Sequence, residues 1–157
     1  MKKIMKYATG LTALVTFCLA LSSFSPAPGA HSFQVYFDSK LMADTYVLHN
    51  NMVVPKLTLD PAGKYNEIIV KYNECGRTVS GRVVTIKDEH DNVLKEWSFE
   101  GTTSAYKDPM TFRVKDVIAL KPRNSNTLKL FYSSNDFKEG QQVAYLVIGK
   151  DVTASLK

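Results

Sequence analysis

Two cysteines, three histidines and one tryptophan in 157 residues are few, and each scarcity excludes something. Cys18 lies inside an apolar stretch near the start, which leaves Cys75 as the one thiol in the rest of the chain. No intramolecular disulfide can therefore staple the fold, and stability must come from a packed core. No G-x-S-x-G elbow is present, so a serine triad of that kind has no anchor. The glycines at 76 and 81 are followed by no lysine-hydroxyl pair, as a phosphate loop would require. No N-x-[ST] acceptor occurs, which fits a bacterial exported protein. No like-charge block, low-complexity segment or fixed-period repeat interrupts the chain after residue 30.

What is present begins with a leader. Lys2, Lys3 and Lys6 precede an uncharged run over 8–21, and a small-residue, proline-bearing stretch follows over 22–30. This is the order of a secretory signal peptide, and the run of about 14 residues is short of the roughly 20 that a spanning helix needs. Residues 1–30 are thus expected to be removed, leaving a periplasmic or secreted protein without a transmembrane anchor. Removing the three leader lysines reduces the formal net charge from +5 to +2, which takes away the main support for nucleic-acid binding.

The remaining 127 residues suit one domain over 31–149 with a flexible tail over 150–157. Their apolar residues alternate with a period of two. Residues 32–38 set Phe33, Val35 and Phe37 against Gln34, Tyr36 and Asp38. Residues 41–48 fit either an edge strand or a helical turn. Residues 52–60 read as extended, with Pro55 placing them at an edge or a strand start. Residues 67–72 make a short β segment, 110–116 an alternating strand, and 127–132 and 143–148 two more, with 133–142 as a polar loop between them.

Residues 78–99 carry the hairpin around which these strands are expected to assemble. Two β-rich arms flank the polar stop Asp88-Glu89-His90-Asp91-Asn92. In the first arm Arg82, Val84 and Ile86 share a face, and in the second Val93, Lys95, Trp97 and Phe99 do. The count of about eight strands and the lack of a long amphipathic helix predict an all-β protein. Uneven interruption by proline, glycine and charge favours an antiparallel β-sandwich, Ig-like or jelly-roll-like, over a barrel.

Catalytic constellations are thin. Cys75 has no flanking nucleophile signature, and Asp88, Glu89 and Asp91 sit together in a turn, where solvated carboxylates are the rule. The reading is of a binding or assembly module without catalytic activity, its ligand a protein or a carbohydrate. Sugar rings stack on exposed aromatics, and Tyr36, Tyr106, Tyr132 and Phe137 are the candidates. A protein partner would add a strand to an open sheet edge, for which 52–59 or 33–37 are the candidates.

A second reading starts at His31. Cleavage after Ala30 would expose two adjacent nitrogen donors, the α-amine and the imidazole, and copper(II) favours such tetragonal ligation. His49, His90 and Asp38 could complete the site. In its N-terminal histidine such an exported sandwich is similar to periplasmic copper-carrier proteins and to copper-dependent polysaccharide monooxygenases. That likeness implies copper as cofactor and, for the second family, an oxidative enzyme. Met42, Met52 and Met110 lack the clustering of a copper(I) carrier.

Overall fold

Alternation becomes sheet structure wherever one face of a strand can be buried. The computed structural model describes residues 31–47, 53–74, 78–101 and 108–150. Strand β1 (His31–Phe37) buries Phe33, Val35 and Phe37 and turns Gln34 and Tyr36 the other way. It is flanked by β2 (Lys40–Val47) and β4 (Glu67–Glu74), and β7 (Met110–Arg113) extends β4. All three pairings in this four-stranded sheet are antiparallel, in the order β2-β1-β4-β7.

The second sheet has five strands. The expected hairpin forms β5 (Arg82–Lys87) and β6 (Val93–Phe99), and β5 also pairs with β8 (Thr127–Ser134). Beyond β8 lie β9 (Phe137–Ile148) and β3 (Lys56–Leu59), giving the order β3-β9-β8-β5-β6. Neither sheet closes on itself, so the protein is all-β with two open sheets and not a barrel.

Both sheets contribute to one hydrophobic cluster, which includes Val35, Val70 and Met110 from the first and Val84, Leu130 and Leu146 from the second. Each fully buried large apolar side chain contributes about 1.5–3 kcal/mol. Rings mark where the sheets meet. Tyr132 lies 4.5 Å from Tyr72 and 5.4 Å from Phe33, centroid to centroid, and Trp97 stacks on Phe112 at 4.7 Å. Tyr132 and Trp97 sit at one level of their sheet, both in register with Val84. Phe112 instead pairs with Ile68, four residues along β4 from Tyr72. The strands of the two sheets therefore cross steeply.

Several expectations need correction. The strand over 110–116 ends at Arg113, and a short helix, α1 (Val114–Ile118), follows. Val114 and Val117 are buried and Ile118 partly so, a spacing of three and four that suits a helical turn better than continued alternation. The polar loop over 133–142 is instead paired backbone: β8 and β9 run on to a turn at Asn135-Asp136. Gly140, at φ 70°, makes this possible, because a Cβ there would stand 3.1 Å from the Tyr132 carbonyl oxygen. The proposed edge at 33–37 is interior, since β2 and β4 cover both its sides. Of the stretch 41–48, residues 41–47 belong to β2, which is an edge strand among the described residues. β3 is shorter than 52–60 and pairs with β9 in parallel, which departs from a purely antiparallel plan, and Pro55 stands just before it as a strand start.

One buried charge ties this framework together. Arg82 is 5% exposed; its Nε donates to the Glu100 carbonyl at 2.8 Å and its Nη1 to the Asp108 carbonyl at 2.7 Å. The guanidinium thus fastens both ends of the connection between β6 and β7. Its neighbour Gly81 has φ 60°, and a Cβ there would run into the Asn135 side chain, which donates to Ser80 Oγ at 3.0 Å.

These contacts predict stability effects that urea unfolding can measure. Arg82→Met orphans two carbonyl acceptors and should cost about 2–4 kcal/mol, with Arg82→Lys intermediate because one ammonium cannot span both. Gly81→Ala should cost about 1 kcal/mol or more from its positive φ and from displacing Asn135.

Candidate functional site

Side chains directly opposite one another on paired strands share a face. Since β1 sends Phe33, Val35 and Phe37 inward, Gln34 and Tyr36 face outward, and so do their partners on β2, Asp44 and Leu41. Tyr46, opposite Ser32, lies on the same outer face. In an unbroken strand Leu41 and Tyr46, five residues apart, would face opposite ways. A register shift between Val35 and Tyr36 leaves Met42 as an extra residue and brings both outward. They are 47% and 60% exposed.

A polar chain lies between them. Tyr36 donates its hydroxyl to Gln34 Oε1 at 3.0 Å, and Gln34 Nε2 donates to Asp44 Oδ2 at 3.0 Å. The Lys71 ammonium stands 4.7 Å from the Tyr36 ring centroid, a cation–π contact. The side chains of this face are thus held in place, while β2 pairs with β1 on one side and, among the described residues, with no strand on the other. Of the predicted aromatic candidates, Tyr36 belongs here.

The others do not join it. Tyr132 is 0% exposed between the sheets, so its ring offers no face to a sugar, and the expectation for that residue is corrected. Its place in the alternating strand 127–132 already set it on the inward side with Leu128 and Leu130. Phe137 is half-buried and packs against the core from the tip of the β8–β9 hairpin. Tyr106 lies outside the described residues.

The copper reading fares differently at each residue. The His31 side chain and His49 lie outside the described residues. Asp38 follows the far end of the strand that His31 begins, roughly 20 Å away at the rise of a β-strand, so one ion cannot take both. The Asp38 carboxylate is also engaged, accepting the Asn66 and Glu67 backbone N–H groups at 3.0 and 2.9 Å. His90 sits exposed in the β5–β6 turn. Among the described residues, no three or more His, Cys, Asp or Glu side chains gather as a metal site would need.

Two open clefts lie among the described residues. One, of about 240 Å³, lies between the β5–β6 turn and the loop before β8, lined by His90, Arg123 and Ser125 among others. The other, of about 320 Å³, lies at the end of the four-stranded sheet, where the chain enters β4 and leaves β7. Tyr65, Glu67 and Arg113 line it. Tyr46, Leu41 and Tyr65 were not legible as site residues: a single extra residue in β2 hides the first two from a period-two reading, and Tyr65 lies in the irregular connection before β4.

The turn bearing His90 is built by Asp88. Its Oδ2 accepts the Asn92 side-chain amide at 2.8 Å, and its Oδ1 accepts the backbone N–H groups of His90 and Asn92, both at 2.9 Å. The Asn92 amide is the main cause that holds the Asp88 carboxyl below its ordinary range, with the backbone bonds and His90 adding to it against partial desolvation. A depressed pKa stabilises the folded state above the unfolded value, and that contribution is lost as pH falls through the folded one. A carbon-detected NMR titration should therefore give Asp88 a midpoint below that of an ordinary aspartate. Protection of the His90 and Asn92 amides should fall with it, and Asp88→Asn should remove this acid dependence.

No family model matches this chain, and no curated protein is significantly similar to it.

Proposed function

We propose that this protein is an exported β-sandwich module, freed from a signal peptide over 1–30, that binds an extended segment of a partner protein along the open edge of β2. The observation that carries this reading is the length and dress of that edge. β3 and β7, edges of the two sheets, have four residues each, whereas β2 has eight and holds Leu41 and Tyr46 exposed on one face. β6 is seven residues long but sets two adjacent exposed charges at its centre, Lys95 and Glu96, whereas β2 has the single Asp44 there, engaged by Gln34; a more heavily charged edge discourages an added strand more. A peptide beside β2 would gain main-chain hydrogen bonds from the edge and apolar contact from Leu41 and Tyr46, with Asp44 between them favouring a basic residue.

The basic cap and short apolar run of the first 30 residues support export, and the shared core of the two sheets supports the sandwich. A binding role also suits the distribution of ionisable groups. Asp88, whose pKa is shifted, is engaged by its own turn, and the buried Arg82 serves backbone carbonyls.

The test is capture from the envelope extract of the producing cells. Leu41→Lys with Tyr46→Lys should lower recovery of any protein retained by the wild type by about tenfold, the loss expected when charge replaces apolar contact on an edge. Thr111→Lys, on the edge strand β7, should leave recovery unchanged. Equal capture by wild type and the double variant would sink the edge reading. Turnover in a hydrolase and oxidase panel would count against a purely binding role.

A further inference from the structure

The cleft at the end of the four-stranded sheet has a chemistry that the β2 edge does not explain. Its apolar part is the Tyr65 ring with Val114 and Ile118. Tyr65 is half-buried and packs against Phe37 at 5.4 Å between centroids, so the ring is held in place. Around it stand three planar polar groups, Asn66, Glu67 and Arg113.

Two of these groups are in an unusual relation. Glu67 and Arg113 are direct cross-strand partners in the β4–β7 pairing, a position where opposite charges ordinarily meet. The guanidinium turns instead to Asp116, with Nε donating to Oδ2 at 3.1 Å. Among the described residues no hydrogen bond or ion pair engages the Glu67 carboxylate. A largely exposed donor fork turned to Asp116 and an uncommitted acceptor pair therefore face one cleft beside an aromatic ring, whose centroid the Lys64 ammonium approaches to 5.5 Å. The cleft, about 320 Å³, is at the small end of ligand pockets, which begin at about 300 Å³.

We infer that this cleft is a saccharide-binding site, taking one pyranose unit of a glycan. A sugar ring has an apolar C–H face that can lie on Tyr65 and equatorial hydroxyls that both donate and accept. Neighbouring hydroxyls suit bidentate partners: the Glu67 carboxylate accepts from a pair of them, and the Arg113 guanidinium and Asn66 amide supply donors. A fully apolar ligand would leave these groups unpaired. A free anion would gain from Arg113 and Lys115 but meet the Glu67 charge. The site makes no use of β2, so it stands or falls apart from the peptide edge.

The experiment is a ¹⁵N–¹H NMR titration of protein purified from cells expressing the full chain. The probes are D-glucose, D-galactose, D-mannose, N-acetyl-D-glucosamine and D-glucuronate, each raised to tens of millimolar. At least one should shift the Asn66, Glu67 and Arg113 amides saturably. Glu67→Gln, at an exposed position, should weaken that sugar about tenfold, as losing a charged acceptor from a hydroxyl pair does. Tyr65→Ala should weaken it further. Because Tyr65 also touches the core, its spectrum is checked for native dispersion, and Glu67→Gln decides if it is lost. Leu41→Lys with Tyr46→Lys should leave the sugar shifts intact. No saturable shift at these amides with any of the five sugars, or shifts that persist unchanged in Glu67→Gln, would overturn the assignment.

Discussion

The contact on which the two sheets depend is the meeting of three rings, Phe33, Tyr72 and Tyr132. Each comes from a different strand and each is buried, with centroids between 4.5 and 5.4 Å apart in tilted and edge-on arrangements. Such geometries set ring edge against ring face and add about 0.5–1.5 kcal/mol per pair to the area buried. Their greater consequence is positional. Together with the Trp97–Phe112 stack they fix how one sheet lies across the other, and so which strand ends and edges are left open. Bulky side chains thus hold the alignment.

From that alignment the irregularities acquire their meaning. The extra residue at Met42 does not disturb the inward row of β1, which remains Phe33, Val35 and Phe37, yet it reverses the outward row of β2 and sets Leu41 beside Tyr36. Gly140 does something similar in β9, absorbing a shift that lets the β8–β9 hairpin continue beyond the buried rows. Arg82 closes the third irregular place, holding the ends of the connection after β6 with a charge whose hydrogen-bonding needs are met by carbonyls, not by a carboxylate. Core packing makes these departures tolerable, because each changes only one side of its strand.

Which parts of this were legible beforehand follows from the same distinction. The inward faces of β1, β5 and β8 could be read directly, because a buried row imposes a strict period of two, and Arg82 was correctly aligned with Val84 and Ile86. The hairpin stop at 88–92 was legible from its turn chemistry, which the bonds to Asp88 account for. Tyr132 is a ligand candidate by residue type alone, and its alternation with Leu128 and Leu130 places it inward. The end of β7 was missed because Val114 satisfies both periods. Only Val117 and Ile118, which pack inward on α1, decide for the helix. The 133–142 stretch hides for the opposite reason: the buried row of β8 continues there at Ser134, a polar residue, and Phe137 is the one large apolar side chain, so no apolar alternation marks the hairpin.

The candidate sites were hidden by a related effect. A binding surface on a β-protein of this kind is assembled across strands, and its members need not be neighbours in sequence. Glu67 and Arg113 are 46 positions apart yet directly opposed in register. Tyr65 precedes the strand that carries one of them, and α1 follows the strand that carries the other. Each residue by itself reads as a loop tyrosine, a surface acid or a surface base. Register turns them into a ring with a donor fork and an acceptor pair beside it, and register is set by the buried faces. The outward chemistry is therefore a consequence of inward packing: shift β7 by one residue against β4 and Arg113 would change faces, leaving Glu67 opposite an apolar neighbour. The constraint that places the core rows is the same one that places the cleft.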